Sequence, residues 1–169
     1  WLAHAKSYVD KMISRFNLTS KSVVMEVAAN DGYLLQFVKS RGISCVGIEP
    51  THIAAQAARE KGLEIIEDFF GEDLALRFLK KGRSFDLIVA NNVLAHVPDI
   101  NDFVRGVLTA LNLDRVATFE FPHLMNLVEQ KQFDTIYHEH FSYLSLNVVI
   151  NIFKDNGLTV FDVEELPTH

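Results

Sequence analysis

The sequence predicts an α/β fold in which helices cover both faces of a doubly wound, mostly parallel sheet. Segments rich in Val, Ile and Phe alternate along the chain with segments whose apolar residues recur at helical spacing. The strand-like segments are apolar without interruption, as in Asp86-Leu-Ile-Val-Ala90, which is typical of strands buried on both faces. At 169 residues the chain has the size of one domain.

The expected elements follow one another in regular order. Apolar residues at helical spacing predict a first helix over 2–16. Runs of β-branched and aromatic residues predict strands at about 22–28, 43–49, 63–66, 84–90, 115–121 and 158–163. The segments between the strands predict helices at about 32–41, 51–61, 71–81, 100–111 and 123–130. Ser145 could cap a last helix that ends at Asn156-Gly157, where glycine suits the position after a helix.

Composition argues against several classes of partner. The net charge is −6, and no cluster of Lys and Arg exceeds Lys80-Lys81, so a nucleic-acid partner is not expected. No run of 18 apolar residues predicts a membrane span. The single cysteine, Cys45, lies in an apolar run and is predicted to be a core residue. One cysteine cannot form an internal disulfide, which fits a reducing, cytoplasmic location. We expect both termini to be cuts through a longer protein. The sheet is then expected to be truncated before its last strand.

Acidic residues stand at the strand ends where such sheets bind ligands. Glu26 ends the first strand and Gly32 begins the next helix. Glu49 ends the second strand, 17 residues after Gly32, where an acid suits the paired hydroxyls of a ribose. Asp68 and Phe69 follow the third strand, where an acid and an aromatic ring could hold an adenine. Together the three strand ends predict a site for an adenosine cofactor.

The turn at 28–32 helps to distinguish the cofactors. A dinucleotide is typically bound by G-x-G-x-x-G, but this turn reads Ala-Ala-Asn-Asp-Gly and holds one glycine. S-adenosylmethionine has no phosphate and carries a sulfonium and an ammonium, so acids at Glu26 and Asp31 suit it better than they suit NAD. The alternative that these two acids only cap the turn and the helix remains open.

Two stretches resemble the class I S-adenosylmethionine-dependent methyltransferases, over most of residues 20–121. The first motif of that family usually reads acid-x-Gly-x-Gly-x-Gly, whereas Ala28 and Asn30 stand here in place of the first two glycines. The family's fourth-strand motif is similar to residues 85–98, Phe-Asp-Leu-Ile-Val-Ala-Asn-Asn-Val-Leu-Ala-His-Val-Pro. The resemblance implies a Rossmann-like fold, S-adenosylmethionine as methyl donor and S-adenosylhomocysteine as product. The implied cofactor-binding residues are Glu26, Ala28, Asn30, Gly32, Glu49, Asp68, Phe69 and Asn91.

A third stretch, residues 133–143, concentrates groups that can move protons: Phe-Asp-Thr-Ile-Tyr-His-Glu-His-Phe-Ser-Tyr. With residues 26–35 and 91–99 it resembles the deoxysugar C-methyltransferases, which methylate C3 of a nucleotide-linked 4-keto-6-deoxy sugar. The resemblance implies a small nucleotide sugar as substrate. It also implies a zinc-binding domain before this chain and a C-terminal domain after it. Residues 1–169 would then form the central methyltransferase domain, with a helical lead-in over about 1–20.

Methylation of a carbon next to a ketone would explain these groups. The carbon must lose a proton to give an enolate, which needs a base with a pKa near the working pH and a donor for the oxyanion. By the family match His140 is the leading candidate for the base, with Tyr137 and Glu139 around it. His96 is the second choice for base or oxyanion donor, although it could equally cap a helix start. The adjacent side chains of His138, Glu139 and His140 cannot all face one way, so we expect His138 to have a structural role.

Two rival functions remain open from the sequence. An O- or N-methyltransferase acts on an atom that already has a lone pair, and it would leave the Tyr-x-Glu-His cluster unexplained. A non-catalytic domain that binds the cofactor and serves as a docking module is the second rival. A metal site built from His96, His138 and His140 lacks any supporting ligand spacing, so no metal is predicted.

Overall fold

The computed structural model describes residues 2–166, which form alternating helices and strands. The strands are β1 Val23–Val27, β2 Ser44–Ile48, β3 Glu64–Ile66, β4 Phe85–Asn91 and β5 Leu111–Glu120. The helices are α1 Leu2–Phe16, α2 Leu35–Ser40, α3 His52–Glu60, α4 Glu72–Lys80, α5 Ile100–Ala110, α6 Leu124–Glu129 and α7 Leu146–Asp155. Two 3-10 turns add to them, Leu94–His96 and Phe133–Thr135. No helix in this range is long and apolar enough to cross a membrane.

The five strands form one parallel sheet in the order β3-β2-β1-β4-β5. The chain builds outward from β1 to β3 and then crosses back to β4 on the other side of β1. This reversal places a topological switch point between β1 and β4, where sheets of this kind bind ligands at their carboxyl ends. The predicted doubly wound α/β fold is confirmed.

Helices bury both faces of the sheet, which explains the uninterrupted apolar strands. On one face α4, α5 and α7 pack against residues such as Met25 and Ile88. On the other face α1, α2 and α3 cover residues such as Val24 and Leu87. Neighbours in a strand therefore point into two separate apolar clusters, and neither face of β1 or β4 is open to solvent over most of its length.

The predicted sixth strand over 158–163 is wrong, because these residues form no backbone ladder. Leu158 and Val160 pack against the apolar cluster under α5 and α7. Phe161 then meets the edge of the Phe16 ring, with ring centroids 6.5 Å apart. Side-chain packing against the core and α1 therefore satisfies the alternating apolar pattern that suggested a strand.

Two element boundaries differ from the prediction for local reasons. Helix α2 begins at Leu35 instead of 32, because Gly32 has φ 76° and belongs to the turn before the helix. Strand β5 begins at Leu111, and the β4–β5 register slips where Asp114 has φ 58°. The start of α7 agrees with the prediction, because Ser145 Oγ accepts a hydrogen bond from the Val148 amide and caps the helix.

The contact between α4 and α5 depends on the missing side chain of Gly106. A Cβ at this position would lie 2.7 Å from the carbonyl carbon of Gly71 and 3.0 Å from the amide nitrogen of Glu72. Backbone cannot rotate away, so Gly106→Ala should destabilise the protein by about 1–3 kcal/mol through overpacking. Helix propensity alone predicts the opposite sign, a gain of about 1 kcal/mol.

Urea denaturation of Gly106→Ala beside Leu108→Ala tests this point. Leu108 is exposed on the same helix, so its substitution should change the free energy of unfolding much less. A Gly106→Ala protein as stable as the wild type would contradict the close approach of the two helices.

Candidate functional site

The turn after β1 has a left-handed backbone at three alternate positions. Ala28, Asn30 and Gly32 have φ values of 55°, 50° and 76°. These are the three positions at which the methyltransferase motif carries glycine. The backbone shape therefore persists although the first two glycines are replaced. Asn tolerates this conformation well, but for Ala it costs roughly 1–2 kcal/mol.

Glu26 is a buried carboxyl group at the switch point. Its side chain is 1% exposed, and its Oε2 atom has no hydrogen-bond partner among the described residues. Burial raises the pKa of Glu26 well above its ordinary value, and the nearby carboxylates of Asp31 and Glu49 raise it further. A buried acid without a partner is costly unless a ligand supplies a cation or a donor.

Glu49 joins the turn to the start of α3. Its carboxylate accepts hydrogen bonds from the Asn30 amide, at 2.9 Å, and from the Thr51 amide, at 2.8 Å. The group is buried, yet a carboxylate can accept about four hydrogen bonds. Glu49 therefore fixes the turn and keeps acceptor capacity for a ligand hydroxyl.

The remaining predicted cofactor residues lie along the same edge of the sheet. Asp68 follows β3, where it forms an ion pair with Arg77 and accepts a hydrogen bond from the Phe69 amide. The ring of Phe69 is 80% exposed and free to cover a ligand. Asn91 is the last residue of β4 and lies opposite Glu120 of β5. The structure thus brings the strand-end residues to one edge.

The acid/base stretch is attached to the turn that follows β4. The amides of Phe141 and Ser142 both donate to the Ala95 carbonyl, at 2.7 and 3.4 Å. These bonds bring His140 against His96, with ring centroids 4.6 Å apart. The centroid of the Tyr137 ring lies 4.2 Å from that of the His140 ring. His96 therefore meets Tyr137 and His140, which follow it by 41 and 44 positions in the sequence, at the carboxyl edge of the sheet.

One hydrogen bond decides which nitrogen of His140 is available. Its Nδ1 lies 2.8 Å from the Thr135 carbonyl oxygen. A carbonyl can only accept, so Nδ1 must carry the proton of this bond. In the neutral ring Nε2 then keeps its lone pair, and an imidazole held in this way can act as a base.

The surroundings of His96 favour the neutral form of its imidazole. Partial burial lowers the pKa of its imidazole, and the neighbouring His140 lowers it further. The Glu139 backbone carbonyl and carboxylate oppose this shift, as smaller effects. A neutral His96 can donate one hydrogen bond without adding a positive charge beside the second imidazole.

Glu139 and His138 are exposed, as is Tyr137, whereas the two imidazoles His96 and His140 are half-buried. The structure therefore brings together Tyr137, His140 and His96 and leaves the Glu139 carboxylate at the rim. The geometry also adds two backbone groups that the sequence reading missed, the carbonyls of Ala95 and Thr135. Within residues 2–166, no three His, Cys, Asp or Glu side chains gather as a possible metal site.

Comparison with known proteins identifies the family of this chain. Residues 1–163 match the family model described as a methyltransferase domain. The chain belongs to the class I S-adenosylmethionine-dependent methyltransferases. Their methyl donor, S-adenosylmethionine, is accordingly the cofactor of this domain.

Individual relatives agree on the fold. The chain is 33% identical to the C-methyltransferase NovU of Streptomyces niveus over 99% of its own length and 40% of that protein. It thus spans less than half of this curated relative. A SAM-dependent methyltransferase from Archaeoglobus fulgidus aligns with TM-score 0.73 and 14% identity, over 93% of this chain and 69% of the other. The magnesium protoporphyrin IX methyltransferase of Synechocystis PCC 6803, with bound SAH, aligns with TM-score 0.69 and 15% identity over 94% and 73%.

The backbone at Ala28 should make glycine preferable there. Ala28→Gly removes a strain of roughly 1–2 kcal/mol and adds about 0.4–1 kcal/mol of unfolded-state entropy. We expect a net stabilisation of about 0.5–1 kcal/mol, measured by urea denaturation. Ala29→Gly is the matched control, because Ala29 is fully buried without a left-handed backbone. It should destabilise the domain, and equal effects from both substitutions would contradict the turn geometry.

The buried Glu26 carboxyl should make stability depend on pH. Its pKa is about 4.5 when exposed and is raised in the folded protein, so the folded state holds this proton longer. Below the pKa that Glu26 has in the unfolded chain, this group does not reduce the free energy of unfolding. As the pH rises above that value and through the pKa of Glu26 in the folded protein, the free energy of unfolding falls. In the absence of ligand, the melting temperature of Glu26→Gln should therefore exceed that of the wild type by an amount that grows as the pH rises above the exposed-state pKa of about 4.5. A difference that does not change with pH would contradict the burial of an unpartnered carboxyl.

Proposed function

We propose that this domain supports methylation of a carbon next to a ketone in a nucleotide-linked deoxysugar, through an enolate made by a histidine base. The observation that carries the proposal is the His140 ring, whose Nδ1 binds the Thr135 carbonyl and whose Nε2 remains available. An O- or N-methyltransferase has less need of a fixed base, because its acceptor atom already has a lone pair. The relative NovU is named a C-methyltransferase, which supports the same reading.

The residues at the switch point fit the methyl donor. The unpartnered Glu26 oxygen suits the ammonium of S-adenosylmethionine, and Glu49 suits the ribose hydroxyls. Phe69 is exposed beside the same edge and would cover the adenine, while Asp68 would contact its amino group. The left-handed turn at Ala28, Asn30 and Gly32 would let the backbone approach the ligand closely. When bound, the cofactor supplies an electrophilic methyl group on sulfur.

The chain's own residues would prepare the acceptor. His140 Nε2 would take the proton from the carbon next to the ketone, and the Thr135 carbonyl would stabilise the imidazolium through Nδ1. Tyr137 or neutral His96 would donate to the oxygen on which negative charge develops. Glu139 at the rim would bind a sugar hydroxyl. Holding the acceptor carbon in line with the methyl group is then the main requirement for transfer.

The proposal includes domains beyond this chain. The domain carries a net charge of −6, which is poorly suited to a nucleotide diphosphate. We propose that a zinc-binding domain and a C-terminal domain flank it and supply the cationic groups. The same proposal places the protein in the cytoplasm, where nucleotide sugars are available.

Deuterium exchange tests the base directly. The protein together with its flanking domains would be incubated in D₂O with a nucleotide-linked 4-keto-6-deoxy sugar and no methyl donor. We expect exchange at C3, slowed by roughly 10²-fold or more in His140→Ala. Tyr137→Phe should slow it by a smaller factor, because His96 also reaches this space. His138→Ala is the matched control and should exchange at the wild-type rate, since His138 is exposed.

Each contrary result points to a different conclusion. Wild-type exchange and turnover in His140→Ala would overturn the assigned base. Methyl transfer to oxygen or nitrogen without C3 exchange would identify an O- or N-methyltransferase. Donor binding without transfer to any acceptor would identify a non-catalytic module.

A further inference from the structure

Glu120 occupies a position at the site that the motifs did not indicate. It is the last residue of β5 and lies opposite Asn91, the last residue of β4. Its backbone carbonyl accepts a hydrogen bond from the Asn92 amide at 2.7 Å, which fixes the end of the strand. The carboxyl group is therefore held next to the edge at which the donor would bind.

The Glu120 carboxylate is only weakly neutralised. It accepts a hydrogen bond from Asn92 Nδ2 at 3.3 Å and lies 3.4 Å from His4 Nε2 of helix α1. Within residues 2–166 it forms no ion pair with a lysine or arginine. Two other acids at this edge differ, because Asp31 is paired with Lys61 and Asp68 with Arg77. Only 18% of the Glu120 side chain is exposed, so solvent screens its charge incompletely.

Glu120 lies where the end of β5 meets helix α1. His4 of α1 contacts its carboxylate, and the hydroxyl of Tyr8, one turn further along α1, is bonded to Thr118 of β5. Burial raises the pKa of Tyr33 to about 12, and the negative charges of Glu26 and Glu120 both contribute. The Glu120 carboxylate therefore acts electrostatically on the same neighbourhood as Glu26.

This neighbourhood suits a ligand whose charge changes during the reaction. The donor carries a positive sulfonium in addition to its ammonium, whereas the product carries a neutral thioether. Any carboxylate near the sulfur therefore attracts the donor more strongly than the product. Glu26 is buried at the end of β1, where the ammonium would bind, so a second carboxylate is available for the sulfonium.

We propose that Glu120 is a specificity-determining residue that favours S-adenosylmethionine over S-adenosylhomocysteine at this edge and so promotes release of the product. The inference rests on the proposed function, since it needs the donor to bind at the switch point. It adds a residue from β5 to a site otherwise built from β1, β2, β3 and β4.

Isothermal titration of this protein with each of the two ligands tests the proposal. Glu120→Gln removes the charge and keeps the size of the side chain. We expect the dissociation constant for S-adenosylmethionine to rise at least fivefold, while that for S-adenosylhomocysteine changes less than twofold. Glu120→Asp retains the charge and should keep the ratio of the two constants within twofold of the wild type.

Glu60→Gln is the matched control for net charge. Glu60 is the exposed last residue of α3, and its substitution should leave the ratio unchanged. Equal weakening of both ligands in Glu120→Gln would show a structural role and overturn the proposal, as would no change in either. If the wild-type protein binds neither ligand, the proposed function itself fails, which distinguishes the two failures.

Discussion

The fold buries a carboxyl group, Glu26, near the end of its central strand, and within residues 2–166 its Oε2 atom has no hydrogen-bond partner. Parallel strands buried on both faces leave no water for this group, so its charged form is unfavourable until a ligand arrives. The strain at Ala28 lies two residues further on. These two costs fall on the end of β1 and on the turn that follows it, and apolar packing on both sides of the sheet compensates for them. Local strain of this kind persists where the surrounding structure fixes the backbone.

The second part of the site depends on one hydrogen bond between distant segments. The Phe141 amide and the Ala95 carbonyl connect the stretch after α6 to the turn after β4. The imidazole pair follows from this connection, since His96 and His140 each lie next to a bonded residue. The Thr135 carbonyl then selects the ring tautomer. Backbone groups thus fix the position and the tautomer of the side chains to which the proposed acid/base chemistry is assigned.

The sequence allowed the sheet to be predicted because its signals are local. Uninterrupted apolar runs, such as 86–90, indicate burial on both faces wherever they lie. The false strand at 158–163 shows the limit, since alternation reports burial and not the presence of a hydrogen-bonded neighbour. Glu26, Glu49 and Asp68 were predicted from strand ends, and Asn91 from the family resemblance. Glu120 ends a strand too, but its surroundings depend on His4 of α1, which comes from a distant part of the chain, and on Asn92 of the segment after β4.

The two parts of the site meet at the segment that leaves β4. Asn91 ends β4 next to the switch point, and five residues later His96 lies against the rings of Tyr137 and His140. Asn92 has φ 53°, and its amide is bonded to the Glu120 carbonyl. The same bond that fixes the end of β5 at Glu120 therefore sets the direction in which the chain turns toward His96. In the proposed reaction, donor binding and acceptor activation would share this one structural element.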